Sequence, residues 1–473
     1  MNNTATIETK ENTLGTDPIG KLMVKFAVPS IIAMVVNALY NIVDQIFIGR
    51  GVGFLGNGAT NVVLPITILV IALALLIGDG GAAYMALQLG KGDKKAAAKG
   101  VGNVVTLAIL LGIGFAIICM VFLEPLCLLL GATENILPYA LDYGRIIIIG
   151  FPFSVISIAL SGVIRADGNP KYSMMGMILG CITNVILNPI FIFVFHWGVQ
   201  GSALATIIGQ ALNCGMYLLY IRKFKSIDIK RNYLKLKAGV ITKVCSLGVS
   251  SFITQIAIVV VIAVSNNVLV KYGAMSVYGA DIPLTTMGIT MKVSQLSMAI
   301  VLGIATGAQP ILGYNYGAGN MERTKKTFKI TIIAATICMV AATIVFQFFP
   351  KALVDIFGTE SELYTTFAIM CFRVFLLFSI FSAFQMCTGI FFQAIGKPVE
   401  ATILSMSRQI IIFIPATLIL PMFMGVEGVL WAGPVSDLLA FILAAILLTT
   451  QWNKIFHKKP IKEGISENIL QNA

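Results

Sequence analysis

Fifty consecutive residues, Tyr172 to Ile221, contain no Asp, Glu, Lys or Arg. A hydrocarbon core ~30 Å thick is crossed by about 20 apolar residues in helical form. This run is therefore read as two membrane helices, broken near "HWGVQG". Shorter uncharged stretches recur at Phe26 to Val43, Gly100 to Leu123 and Val244 to Val270. A chain built this way has few options, because in lipid every backbone polar group must be satisfied internally and only helices and closed barrels achieve that. Composition agrees: 58% of the 473 residues are hydrophobic and 11% charged, far from the soluble average of about 25% charged. The expected fold class is an all-α integral membrane protein.

Hydropathy and loop positions predict twelve helices, near 22–48, 60–88, 101–123, 136–165, 170–195, 199–222, 243–270, 283–313, 327–349, 361–393, 398–424 and 427–452. Most of the 33 Lys and Arg fall in alternate connections and in the two termini. By the positive-inside rule those connections are cytoplasmic, so the net charge of +12 is a topology signal and not a nucleic-acid footprint. Both termini are expected in the cytoplasm, with the chain multi-pass in its membrane. The N-terminal 20 residues carry acids and no apolar core, and are not read as a cleavable signal.

The second six helices echo the first. "LGKGD" at 89 matches "YGAGN" at 316, "LLGATE" at 129 matches "IFGTES" at 356, and "GVQG" at 198 matches "GVEG" at 425, all shifted by 227. "ADGNPK" at 166 matches "AIGKPV" at 394, shifted by 228. An even number of helices per unit gives a parallel repeat, two pseudo-symmetric lobes related by an axis along the membrane normal. The expected parts are a cytoplasmic tail (1–21), a first lobe (22–222), a basic cytoplasmic linker (223–242), a second lobe (243–452) and a cytoplasmic tail (453–473). Such an arrangement suits a secondary transporter with a site between rocking lobes.

Eight cysteines lie in or beside apolar segments without a CxxC pair, and read as core residues. Two histidines, His196 and His457, supply neither a zinc motif nor a catalytic triad. With no recognisable nucleophile, metal cluster or phosphate loop, an enzyme is not expected, and neither is a cofactor.

The chemistry concentrates on helix 1. Asn37, Tyr40, Asn41 and Asp44 are spaced i, i+3, i+4 and i+7 and line one face. A carboxylate inside a membrane helix costs at least ~2.5 kcal/mol on insertion scales, so it faces protein or a water path. At 1.5 Å per residue Asp44 lies roughly 28 Å above Lys25, while on helix 5 Asn184 and Asn188 lie roughly 21 and 27 Å above Pro170. Thr206 on helix 6 lies roughly 12 Å below Gly198. These oxygens suit a hard cation, and a buried carboxyl of this kind equally suits proton uptake and release. Asn184 and Asn188 also fit the simpler role of bonding neighbouring helices. Helix 7 has no acidic counterpart of Asp44.

Other charges fall inside predicted helices. Arg408 and Asp437 lie at equal depth on helices 11 and 12 and are expected to pair, with Asp437 a second proton or cationic-substrate site in the alternative. Arg145 and Arg373 read as structural. Lys292 lies roughly 13 Å into helix 8 and has no assigned role. Asp79 is expected at the solvated cytoplasmic end of helix 2. Met174, Met175 and Met177 read as core or lipid-facing residues, and would also suit a soft, promiscuous site.

"LYNIVDQIFIGR", "GKGDKKAA", "RADGNPK" and above all "GIATGAQPILGYNYGAG" at 303 to 319 resemble the multidrug and toxic compound extrusion (MATE) family, in its bacterial branch. The resemblance runs from about residue 20 to 452. It implies twelve helices in two lobes around a central cavity and antiport, coupled to H⁺ or Na⁺, that exports amphipathic, cationic drug-like compounds. It further implies that Asp44, Asn184, Asn188 and Thr206 form the first-lobe cation site, and Asn37, Tyr40, Asn41, Met177 and Asp437 are candidates for the substrate path. Acids that some members carry on helices 7 and 10 are absent here. Beyond its substrates and the lipid bilayer no partner is expected, and the chain is expected to act as a monomer. The nearest rival is a lipid-linked oligosaccharide flippase of the same superfamily, which would need more cavity cations than Lys292 and Arg408.

Overall fold

The structure, a computed structural model, describes residues 13–279, 281–357 and 361–456. Among these, eleven helices are long and apolar enough to cross a membrane, and one bent pair makes a twelfth. They are α1 (Ile19–Gly51), α2 (Phe54–Gly90), α3 (Lys94–Val121), α4 (Leu137–Ala166), α5 (Pro170–Val194), α6 (Gly198–Tyr220), α7 (Ala238–Ala274), α8 (Asp281–Gly317), α9 (Met321–Phe348), α10 (Glu362–Phe375 with Ser379–Ala394), α11 (Pro398–Met424) and α12 (Val426–Phe456). The two pieces of α10 meet at 46°. The sequence reading places one helix near 361–393; "VFLLFSIF" contains no Gly or Pro to signal the bend within it.

Polar caps start several helices where the chain re-enters. Asp93 accepts from the Ala96 amide at 2.8 Å, Asn169 from Tyr172 at 3.3 Å and Asn320 from Arg323 at 3.2 Å, each satisfying one of the orphan donors of a first turn. Gly92, Gly168, Gly319 and Gly396 precede α3, α5, α9 and α11 at positive φ, where a side chain would be strained. These four turns are the repeat motifs of the sequence, and all lie on the basic face of the molecule.

Several boundaries differ from the sequence reading. α1 begins at Ile19, and a short helical turn before it, Thr13–Thr16, buries Leu14 completely. Residues 13–21 are thus packed structure and not a free tail. Arg323 Nη2 donates to the carbonyl of Asp17 at 2.7 Å, and Asn315 Nδ2 to that of Leu14 at 3.1 Å, which fastens this segment to α8 and α9. The linker is likewise held. Asp167 accepts from the Tyr220 hydroxyl and from the amides of Lys225 and Ser226, at 2.8, 3.0 and 2.9 Å. Asn103 Oδ1 accepts from Lys237 N at 2.7 Å, and Thr106 donates to the Leu234 carbonyl at 2.8 Å. The linker between the lobes is therefore strapped to the first lobe as far as Lys237, where α7 begins. α12 runs to Phe456; the rest of the expected C-terminal tail, with His457, lies outside the described residues.

The lobes exchange helix ends. The basic-face end of α1, with Leu22, Met23 and Phe26, sits in the second-lobe core beside Ile304, Ala308 and Ile311. Reciprocally, Val244 and Leu247 at the basic-face end of α7 sit in the first-lobe core beside Ile77 and Val104. Accordingly α1 packs on α8 and α7 packs on α2, the two equivalent contacts that an axis along the membrane normal generates.

Glycines bring these backbones together. A Cβ on Gly248 would stand 1.8 Å from the Leu76 carbonyl oxygen, and one on Gly303 2.5 Å from the Ile31 Cα. Small residues permit such close approach between membrane helices. Gly90 would meet the Tyr314 oxygen at 2.1 Å, and Gly317 the Leu87 oxygen at 2.3 Å. Those four residues are two pairs shifted by 227, so the contact is reciprocal. The lobes close against each other on the basic face.

Candidate cation-coupling site

Asp44 is carried in the outer half of α1, about three turns beyond Ala33, the last buried residue of its inner half. Its Oδ1 accepts from Asn188 Nδ2 at 2.5 Å and from Ser202 Oγ at 3.2 Å. One turn from Asn188 on α5, Asn184 Nδ2 donates to Thr206 Oγ1 at 2.9 Å. Tyr40, one turn before Asp44, is within hydrogen-bond reach of Thr206, and Tyr143 of α4 lies in the electrostatic neighbourhood of the carboxylate. Three helices, α1, α5 and α6, thus converge their polar residues at one depth, and Asn184, Asn188 and Ser202 are all buried.

Local backbone explains the placement. Pro189 follows Asn188 and has no N–H to donate, and the next five residues, Ile190–Val194, form a π-helical turn. Such turns recur at functional sites because they re-aim side chains. His196 and Gly198 adopt positive φ, at 56° and 54°, and turn the chain back into α6. Ser202 and Thr206, four residues apart, then share the face of α6 that looks at α5.

The side-chain oxygens of Asn184 and Asn188 are buried and have no hydrogen-bond partner. Buried polar atoms are nearly always partnered, and an exception calls for an ion, a water or a function. Here a neutral oxygen without a donor sits on the residue that bonds the carboxylate, and a second lies one turn along the same helix. That set accepts positive charge and repels an anion. No group of three or more His, Cys, Asp or Glu able to hold a metal occurs among the described residues, so the arrangement suits a single weakly held monovalent ion or a proton.

Ser202 was not singled out by sequence reasoning. A serine in a membrane helix is an unremarkable helix-packing residue, and the only signal was its spacing from Thr206. The remaining predicted residues separate. Asn37 and Asn41 are exposed, and Asn41 Nδ2 donates to the Asn37 carbonyl at 2.7 Å. Met177 is half-buried on α5, two turns nearer the basic face than Asn184. Asp437 belongs to the other lobe, where Arg408 Nε donates to its Oδ1 at 2.8 Å. Arg408 reaches it from a π-helical stretch of α11, Ser407–Phe413. Arg145 and Arg373 are exposed.

Asp79 is a correction. It lies eleven residues from the end of α2, about 16 Å inside, and its Oδ2 accepts from Ser251 Oγ of α7 at 2.8 Å. Ser251 in turn accepts from Gln393 Nε2 at 3.2 Å. The residue therefore spans the seam between the lobes and is not solvated at a helix end, because α7 crosses α2 at this level. Arg165 is buried at the end of α4 and lies in electrostatic reach of Asp79.

The sequence model of the MatE family matches residues 29–190 and 249–419, one block in each lobe. This chain belongs to the MatE family. Among curated relatives of this MatE chain, the multidrug export protein MepA of Staphylococcus haemolyticus (strain JCSC1435) is 26% identical over 442 residues, covering 92% of this chain and 95% of that one. MepA of Staphylococcus aureus (strain N315) is 26% identical over 442 residues, covering 91% and 94%. These relatives are export proteins, not enzymes. Two solved structures share the fold with TM-scores of 0.88 at 23% identity, each covering 95% of this chain and 99% of the other. One is an outward-facing multidrug resistance MATE family transporter of the MOP superfamily. The other is a MOP superfamily transporter from Pyrococcus furiosus, described as having a binding pocket of reverse polarity.

Proposed function

We propose that this MatE chain is a bacterial plasma-membrane antiporter that exports amphipathic compounds, cationic ones among them, and that a cation bound at Asp44 drives the cycle. The basic face is cytoplasmic on this reading, with both termini inside, and the chain works as a monomer. The observation that carries it is the unpartnered oxygen of Asn188 beside the Asp44 carboxylate, with that of Asn184 one turn along α5. A proton on Asp44 provides a donor for one of them at most, whereas Na⁺ is coordinated by both together with the carboxylate. Na⁺ is therefore favoured over H⁺.

The path from ion to lobe runs along α1. Its outer half touches α5 and α6 through Asp44, and its inner half is clamped in the second-lobe core through Leu22 and Phe26. Pro29 lies between Phe26 and Asp44 and removes one helix hydrogen bond there. An ion that draws Asp44 toward Asn184 and Asn188 thereby acts on the same helix that holds the cytoplasmic seam closed. Ligand and ion need only prefer different lobe arrangements for their flows to be coupled. The flippase reading is left with Lys292 alone, since Arg408 is neutralised by Asp437. Everted vesicles energised separately by a Na⁺ gradient and by a pH gradient test the proposal: dye export is expected with the parent and lost with Asp44→Asn. Equal export by the two would overturn it.

A further inference from the structure

α8 is unlike its neighbours in what it exposes. α7 and α9 present Val260, Ile262, Val270, Ile333, Ile337 and Ile344 to their surroundings, as lipid-facing helices do. Among the described residues of α8, those exposed are Asp281, Thr285, Gly288, Lys292 and Gln295. They are spaced by four and three residues in turn and form one stripe. No large apolar side chain of this helix is exposed, so the stripe is unlike the lipid-facing surfaces of its neighbours and suits a wet path.

Its depth makes the point stronger. Lys292 lies eleven residues from Asp281 and eleven from Gly303, where α8 is pressed against Ile31 of α1. It is about 16 Å from either place, too deep for a lysine to snorkel to the outer interface. On α1 the residues at matching height are Asn37, Asn41 and Asp44. The exposed apolar residues Val28, Ile32, Leu39, Ile42 and Ile46 occupy one face of α1, and at 100° per residue Asn37 and Asn41 fall on the opposite one. Above the seam both helices thus carry exposed polar stripes at matching height, with an ammonium on α8. Lys292 has no ion-pair partner among the described residues. Asp437 is taken by Arg408, and Asp44 by Asn188 and Ser202.

We propose that Lys292 is a specificity-determining residue that binds a carboxylate, and that the exported compounds include zwitterionic amphiphiles, held with their anionic group on the second lobe. This rests on the export reading. An unpaired ammonium in a restricted wet path attracts an anion more strongly than in bulk water, and a compound carrying both charges would meet Lys292 on α8 and the neutral amides of Asn37 and Asn41 on α1.

Rhodamine 110 and rhodamine 123 provide the probe, since they differ only in that the second is the methyl ester of the first. Both would be loaded into phosphatidylcholine proteoliposomes with the full chain, and the ratio of their transport rates measured. Loss of a charge-assisted contact lowers binding about tenfold. Lys292→Gln is expected to lower the ratio of rhodamine 110 to rhodamine 123 by that factor, and Lys292→Arg to keep it. Gln295→Glu, which leaves Lys292 in place and puts a carboxylate one turn away, is expected to lower it as well. A ratio unchanged in both Lys292→Gln and Gln295→Glu overturns the proposal. So does a parent that carries rhodamine 123 and not rhodamine 110, which leaves export itself intact. A parent that carries neither overturns the export reading and the proposal with it. Vesicles containing phosphatidylglycerol separate a drug carboxylate from a lipid phosphate: if the anionic lipid abolishes the preference for rhodamine 110, Lys292 holds a headgroup and the assignment fails.

Discussion

Asn188 gives its amide nitrogen to Asp44 and keeps its own amide oxygen buried without a partner. The hydrogen bond fixes which way the amide points, and so fixes the oxygen beside the carboxylate. Removing either half of this relationship has a different expected consequence. Asp44→Asn removes the charge and is expected to reduce gradient-driven dye export to about a tenth or less, a loss of at least one charge-assisted contact. Transport in everted vesicles measures it, with protein in the membrane quantified alongside.

Asn188→Leu and Asn184→Leu each remove an oxygen and leave the charge. If Na⁺ is the ion, each raises the Na⁺ concentration for half-maximal transport by about tenfold, the magnitude of a lost charged contact. Titration of Na⁺ at constant pH measures this. An unchanged Na⁺ midpoint, with activity instead following pH, would transfer the coupling to H⁺.

The seam supplies a third expectation. A valine at Gly90 or at Gly317 meets a carbonyl oxygen at about the distance of a covalent clash, and overpacking of this sort costs ~1–3 kcal/mol. Since the cost falls only on the closed arrangement, each substitution shifts the lobe equilibrium about 5- to 150-fold toward opening at the basic face. Distances between spin labels across that face are expected to lengthen equally in the two variants, because their contacts are reciprocal. Valine at Gly215, which has nothing within 4 Å, is expected to leave them alone.

The linker supplies a fourth. Asp167→Ala removes three hydrogen bonds to the segment between Tyr220 and Ser226, each to a charged acceptor and worth ~1.5–3 kcal/mol. Trypsin added to everted vesicles is then expected to cut at Lys223, Lys225, Lys230 or Arg231 at least about fivefold faster, read by the appearance of two half-length fragments.

Much of this was legible in the sequence, and for physical reasons. Helix number and repeat follow from uncharged run lengths and the 227-residue shift, which do not depend on tertiary contacts. Counting residues also placed Asp44 level with Asn188, and Arg408 level with Asp437, because helical rise is constant. What counting cannot give is which helices cross. Asp79 looked terminal until α7 was seen to lie across α2. Ser202 gave too small a polar signal, and the break in α10 falls in an uninterrupted apolar run. Lys292 was visible as a charge and unassignable, since only burial along the whole of α8 reveals which way its stripe looks.

The exchange of α1 and α7 between the two cores bears on how such a chain arose. Each lobe is completed by the first helix of the other, and the Gly90–Tyr314 and Gly317–Leu87 contacts are one contact made twice. A single six-helix chain carrying Gly90 and Leu87 already has both halves of that interface. It would have closed on a second copy of itself by swapping its leading helix, as symmetric dimers do. The two halves now differ: the first lobe carries the carboxylate of Asp44 where the second has none, and the second carries the ammonium of Lys292.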